Sequence, residues 1–263
     1  MLAQQRQEAI LAAVRRDGAV RVADLVAALG VSEMTVRRDV GLLAERGLVQ
    51  RVHGGVVDVR RAAEEPGFRA KAGLHADEKA AIAAAAVGRL APGSAVALSA
   101  GTTTHLVARL IATTPALRPL TVVTNSPPAA DVLHAAGDPG LTVVLTGGTR
   151  TPSDALVGPV ATRAIESLRV DVLVLGVHGV DPEAGLTTPN LLEAETNRAL
   201  VAAASRVVVV ADRSKWGVVG LARIADLADV DLLVTDDGLH PEAVAAAREV
   251  TEVVLAAPAG RRP

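Results

Sequence analysis

Val31-Ser32-Glu33-Met34-Thr35-Val36-Arg37-Arg38-Asp39-Val40 is the stretch on which the reading of this chain turns. At helical spacing Val36, Val40 and Leu43 share one side, while Met34, Arg38 and Gly41 point the opposite way. That is a helix with one packing face and one open face. Ser32 stands where a hydroxyl accepts the orphan backbone N–H groups of a first turn. Upstream, Val22 to Leu29 reads as a helix closed by Gly30, which suits the left-handed position after a helix. Gln4 to Arg16 places Ile10, Leu11 and Val14 at helical spacing before Asp17-Gly18 stops it. Downstream, Gly47 ends the third helix, and Leu48 to His53 followed by Gly54-Gly55 reads as a strand and tight turn. Helix, glycine turn, helix and wing form a winged helix-turn-helix.

A helix of this kind enters a major groove, where Arg bonds guanine edges or phosphates. The residues expected to meet double-stranded DNA are Ser32, Met34, Thr35, Arg37 and Arg38 on the helix, with Arg51 and His53 on the wing. Asp39 is expected to orient one of the two Arg side chains. An isolated Arg pair is more often a solvated face, and the helical context is what favours DNA here. Through Arg61 the chain has ten Arg and no Lys against seven acids, a balance of +3, whereas the remainder carries −5. A basic head on an acidic body suggests that only the head meets a polyanion. Aromatics are 1%, Phe68 and Trp216, which leaves almost no platform for base stacking and argues against single-strand binding.

The 263 residues suit a small domain joined to a larger one. The expected division is 1–57 for the DNA-binding domain, 58–74 for a linker and 75–263 for the body. Charged residues with Pro66-Gly67 mark the linker, which is the expected lever between the domains. Cysteine is absent, which excludes disulfides and thiolate chemistry and fits a reducing cytoplasm. No apolar run reaches the ~18 residues of a membrane span, the richest stretch, Ala80 to Gly88, stopping at Arg89. Nothing at the start reads as a secretory signal, so a cytoplasmic protein without membrane contact is expected.

Beyond the linker, β-branched runs alternate with Ala-rich helical stretches. The runs are Ala95 to Ser99, Leu120 to Thr124, Leu141 to Thr146, Val170 to Val177, Val207 to Ala211, Val230 to Thr235 and Val250 to Leu255. Fully apolar runs such as Val207 to Val210 imply strands buried on both faces, hence an α/β body with a mostly parallel sheet. Gly101-Thr102-Thr103-Thr104 follows one such strand and opens a helix, so N–H groups, hydroxyls and a positive helix end converge where an anion can sit. A Gly-Thr-Thr turn by itself is as often only a capped helix start. Two more polar loops end strands, around Asn125 and at Gly147-Gly148, and in an open α/β sheet such loops gather at the carboxyl edge. Lys215 is positioned to neutralise a phosphate, and Asp181 and Glu193 to accept sugar hydroxyls. The bland alternative is a surface Lys and two solvated acids. His53, His75, His105, His134, His178 and His240 include no pair at metal spacing, so neither a metal nor a cofactor is expected.

The run from Arg6 through Gly55, with Ser32 to Asp39 and Gly47 to Gly55, resembles the helix-turn-helix of the DeoR family of bacterial transcriptional regulators. The resemblance continues through Ala100-Gly101-Thr102-Thr103-Thr104, Val123-Thr124-Asn125, Thr146-Gly147-Gly148, Gly185 to Pro189, Glu193-Ala194-Glu195 and Ala211 to Lys215, and covers nearly the whole chain. It implies a body similar to ribose-phosphate isomerases and CoA transferases, and a repressor of a carbohydrate operon. A phosphorylated sugar would bind at Gly101 to Thr104, Asn125, Gly147, Gly148, Asp181, Glu193 and Lys215. The regulator is expected to be a homodimer or homotetramer and not an enzyme. Asn197 stands where many members carry Lys, and His178 where a small residue is common. Two other readings are an isomerase-like enzyme using Glu193 or Asp181 as base beside Lys215, and a winged helix that contacts protein or RNA.

Overall fold

The computed structural model describes residues 3–17, 19–46, 48–52, 55–57 and 68–258. Gly18, Gly47, His53, Gly54 and the linker stretch with Pro66-Gly67 lie outside the described residues. Contacts divide the chain into two units, Met1–Glu65 and Pro66–Pro263.

The first unit holds α1 (Ala3–Asp17), β1 (Ala19–Arg21), α2 (Val22–Leu29), α3 (Glu33–Glu45), β2 (Gln50–Val52) and β3 (Gly55–Val57). Its helices bury Ile10 and Val14 of α1, Leu25 of α2, and Val36, Val40 and Leu43 of α3 against one another. The left-handed Gly30 closes α2, its N–H donating to the Val26 carbonyl. The wing is larger than the sequence reading: β1 joins it, giving an antiparallel sheet of order β1-β3-β2.

The second unit opens with α4 (Phe68–Ala72), inside the stretch expected to be linker, and α5 (Ala76–Val87). It continues through β4 (Ala95–Leu98), α6 (Thr102–Ala112), β5 (Leu120–Thr124), α7 (Pro127–Ala135), β6 (Leu141–Leu145), the short pair β7 (Thr149–Arg150) and β8 (Leu156–Val157), and α8 (Pro159–Glu166). Then follow β9 (Val172–Gly176), β10 (Gly179–Asp181), β11 (Gly185–Thr188), α9 (Leu191–Ala203), β12 (Val207–Val210), β13 (Ala222–Ala225), β14 (Leu232–Asp236), α10 (Pro241–Arg248) and β15 (Glu252–Ala256). Seven strands form one sheet in the order β15-β14-β12-β9-β4-β5-β6, every neighbouring pair parallel.

Strand pleating explains why those strands read as unbroken apolar runs. Leu173, Leu175, Val207 and Val209 enter one core with Ile165 of α8 and Leu200 of α9, while Val96, Leu98, Val208 and Val210 enter another with Ile82 of α5 and Val107 of α6. The central strands β4, β9 and β12 are covered on both faces, so both their alternations must be apolar, whereas the edge strands β6 and β15 leave Val144, Leu145 and Leu255 exposed. Strand order proceeds from β4 through β5 to β6 on one side and from β9 through β12 to β15 on the other. The direction reverses between β4 and β9, and the crevice outside that pair of carboxyl ends is where open α/β sheets hold ligands.

Candidate functional site

The open side of α3 is the first candidate. Its helix starts at Ser32, whose Oγ accepts from the Thr35 N–H at 3.3 Å and lies 2.9 Å from Thr35 Oγ1. Those two hydroxyls are therefore partly occupied by capping. Arg37 reaches back one turn to Glu33, Nη2 to Oε1 at 2.7 Å, with half of each side chain exposed. Arg38 and Met34 differ from their neighbours: both are exposed, Met34 to 77%, and neither makes a hydrogen bond or ion pair with any described residue. Beside them a Cβ added to Gly41 would meet nothing within 4 Å.

The expected role of Asp39 is corrected. Its carboxylate is only 3% exposed and accepts from Arg6 Nε at 2.8 Å and Gln7 Nε2 at 3.3 Å, tying α3 to α1 rather than orienting Arg37 or Arg38. Helical geometry carried the signal, since Asp39 lies three residues after Val36 and so on the packed side. On the wing, β2 contains the Arg51 backbone, and His53 falls outside the described residues.

The second candidate is the crevice at the reversal point of the large sheet. After β4 the chain passes Ser99 and Ala100 to Gly101, which caps α6 without any side-chain hydrogen bond. The first N–H groups of α6 are thus without a capping side chain at the positive end of the helix. The hydroxyls of Thr102 and Thr103 make no hydrogen bond with a described residue, whereas Thr104 Oγ1 donates to the Gly101 carbonyl at 3.0 Å. Ser99 Oγ accepts from the Gly176 N–H at 2.9 Å, which ties the end of β4 to the end of β9. A Cβ at Gly176 would sit 3.4 Å from Thr104 Cγ2, so the start of α6 lies directly against β9.

Because β4, β5 and β6 are neighbours, the three polar loops do follow adjacent carboxyl ends. They are not equivalent. Asn125, 2% exposed, accepts from the Ala100 N–H at 2.8 Å and donates to the Leu156 carbonyl at 3.1 Å; its amide braces the Gly101 loop. Gly148 permits a close approach, since a Cβ there would come within 2.7 Å of the Val157 carbonyl oxygen, and Gly147 adopts φ +73° beside it. Glu193, in the first turn of α9, accepts from Thr151 Oγ1 at 2.7 Å and from Ser153 Oγ, which clamps the loop between β7 and β8. Asp181 accepts from the N–H groups of Glu183 and Ala184, both at 2.9 Å, and so shapes the turn between β10 and β11.

Beyond β12, one strand past β9, Ala211-Asp212 leads into a short 3-10 turn, Arg213–Lys215. Burial of Asp212 pushes its carboxyl up, but Lys215, the Ser214 hydrogen bond, His75 and Lys79 outweigh it and hold it below the usual carboxylate range. Lys79, in α5, is only 4% exposed, and its Nζ donates to the Lys71 carbonyl at 2.7 Å. Burial pushes its ammonium down to about 8; Asp212 opposes that, and Lys215 and Lys71 add to it. Asp212 is thus shared between two ammonium groups near the crevice. Glu78, which also acts on Lys79, is engaged by Arg213 at 2.9 Å.

The model of the DeoR-like helix-turn-helix domain matches residues 6–61, and that of the DeoR C terminal sensor domain matches residues 74–237. This chain belongs to the DeoR family. The HTH-type transcriptional regulator GlpR of Haloferax volcanii is 40% identical over 92% of this chain and 93% of its own length. The transcriptional repressor AccR of Agrobacterium fabrum is 35% identical over 89% and 90%. Among solved structures, a D-ribose-5-phosphate isomerase in complex with phospho-erythronic acid aligns over 52% of each chain at 16% identity and TM-score 0.40.

As a DeoR-family member the chain is a DNA-binding transcriptional regulator with a winged helix-turn-helix head and an α/β sensor body. Among the described residues no helix is long and apolar enough to cross a membrane. Sequence reasoning missed Lys79, His75 and Ser99. Lys79 sits in an Ala-rich helix, where a lone charge ordinarily reads as solvent-facing, and Ser99 was read only as a strand end.

Proposed function

We propose that this regulator represses a carbohydrate-metabolism operon, and that a phosphorylated sugar bound at the sheet crevice weakens its hold on operator DNA. One observation carries the reading. The start of α6, which no side chain caps and whose Thr102 and Thr103 hydroxyls bond to no described residue, lies at the reversal point of the sheet, and Lys79 and Lys215 both act on the Asp212 carboxylate after β12. N–H donors, hydroxyls and incompletely balanced ammonium groups suit a phosphate, while the polar loops after β5 and β6 suit the sugar. Repressors among the relatives support the sign of regulation.

The chain is not an enzyme in this reading. A general base must be free to take a proton from substrate. Glu193 is held by Thr151 and Ser153, and Asp181 by two backbone N–H groups, so both carboxylates already serve the scaffold. Switching needs differential affinity of about 1 to 3 kcal/mol between the DNA-competent and effector-bound states, a 5- to 150-fold effect. One winged helix makes few base contacts, so a homodimer or homotetramer reading repeated half-sites in the cytoplasm completes the proposal.

The test is thermal denaturation of the full chain against a panel of pentose and hexose phosphates. A true effector at 100 times its dissociation constant adds about 2.7 kcal/mol and should also release a bound operator duplex. If no phosphate in the panel raised the melting temperature, the sensor reading would fall; turnover of one would revive the isomerase reading.

A further inference from the structure

We infer that Met34 is a base-reading residue that packs on the 5-methyl group of a thymine, and that it works as a pair with Arg38. The inference rests on the DNA-binding function and assigns what one stripe of α3 reads. Among the first-turn side chains of α3, hydrogen bonds already engage Glu33 with Arg37 and Thr35 with Ser32. Met34 and Arg38 bond to no described residue, and Met34 exposes 77% of its surface, about twice the exposure of Leu42 and Leu48, the other exposed large hydrophobics described in this unit. Four residues apart at ~100° each, they lie about 40° from one another on the helix surface. Gly41, with nothing within 4 Å of an added Cβ, extends the same stripe as bare backbone.

Each member of the stripe has a partner of distinct chemistry in the major groove. A guanidinium paired with no acid among the described residues matches guanine O6 and N7 bidentately, whereas a thioether gains chiefly by covering apolar surface. The largest apolar feature of a base edge in that groove is the thymine methyl, where cytosine has only a C5–H. Four residues at ~1.5 Å rise span about 6 Å, nearly two base steps of ~3.4 Å. The thymine read by Met34 therefore lies one or two steps from the guanine read by Arg38. The bare backbone at Gly41 lets that part of the helix approach the groove wall.

The experiment begins by selecting duplexes from a randomised library with the full-length chain. In the winning duplex each thymine is replaced singly by deoxyuridine, and each guanine by 7-deazaguanine. Affinities are measured by fluorescence anisotropy at fixed salt for the parent, Met34→Ala, Met34→Leu and Arg38→Ala. Expected is one thymine per half-site whose deoxyuridine replacement weakens the parent about fourfold, the worth of one buried methyl-sized group. Met34→Ala should be blind to that replacement and Met34→Leu should still feel it. The guanine to which Arg38→Ala becomes blind should lie within two steps. The inference is overturned if Met34→Ala keeps the parent's deoxyuridine profile, or if the sensitive thymine lies farther away. Failure of the parent to select any duplex would overturn the DNA-binding reading as well, which separates the two.

Discussion

The head and the body of this regulator use their functional residues in opposite ways. In the head, the side chains best suited to DNA, Met34 and Arg38, are exposed and bond to no described residue, while the fold is held by a separate set, Val36, Val40, Leu43 and the Asp39–Arg6 pair. In the body the candidate site is part of the scaffold. Asn125, Glu193, Asp212 and Lys79 are all more than nine-tenths buried and bonded to neighbouring loops or helices. The size of the ligand explains the difference. A duplex is larger than the head and is met on its outside, whereas a small anion gains from donors that are fixed in advance and shielded from water. Stability and function should therefore separate in the head and coincide in the body.

Two glycines offer the largest test of that contrast. Gly148 has φ +120°, and a Cβ there would lie 2.7 Å from the Val157 carbonyl oxygen and 3.0 Å from Ala161 Cβ. Overpacking together with backbone strain should make Gly148→Ala cost about 3 to 5 kcal/mol, lowering the body's melting transition by roughly 6 to 12 °C. Gly41→Ala in the head meets open space and replaces glycine inside a helix, so it should add up to about 1 kcal/mol. Calorimetry on the two variants decides the matter. A body that tolerated alanine at position 148 would show that its loop is not pinned between β8 and α8.

Arg38→Ala should have a smaller effect, and on affinity alone. Loss of one base-contacting guanidinium costs about 1 to 3 kcal/mol of operator binding, or roughly 5- to 150-fold, with stability unchanged within about 0.5 kcal/mol. Arg37→Gln should matter less, because Glu33 at 2.7 Å already offsets the Arg37 charge. Titration of operator into both variants, beside their melting curves, compares the effects. Equal losses of affinity and stability in Arg38→Ala would dissolve the distinction drawn for the head.

Local signals made much of this legible beforehand. Ser32 and Gly30 punctuate the head at the expected positions, and the β-branched runs locate all seven strands of the large sheet to within a few residues. What escaped notice depends on partners distant in sequence. Strand β1 has three residues and exists because β3 pairs with it. Strand β11 pairs with β13 more than thirty residues later. The candidate site follows the same rule. Gly101 to Thr104 were found because a helix start is local, but Asn125 looked like a ligand-facing amide until Ala100 and Leu156 proved to occupy it. Lys79 is buried by packing against elements far downstream, including the end of β12, and no periodicity announces that.

Lys79 provides the smallest effect and the most specific one, because its sign is fixed by linkage. Its ammonium titrates near 8 in the folded body, below its ordinary 10.5, with Asp212, Lys215, Lys71 and Glu78 as the charged groups around it. Between those pH values the unfolded chain holds a proton that the folded body has released. Stability must therefore rise with pH across that window, and below about 8 the fold carries the full cost of a buried charge. Relative to Lys79→Met, the parent should gain about 1 kcal/mol between pH 7 and 8.5, which urea denaturation at a series of pH values would detect. A bound phosphate reverses the effect. By favouring the protonated lysine it ties ligand affinity to the proton, so the parent's affinity for the effector should fall as pH rises above 8, towards that of Lys79→Met, whose affinity lacks this dependence. Parallel stability curves for parent and variant would mean that the ammonium is hydrated after all. A stability difference without any change in the ligand's pH dependence would leave Lys79 as a strut between α5 and Lys71 and remove it from the anion site.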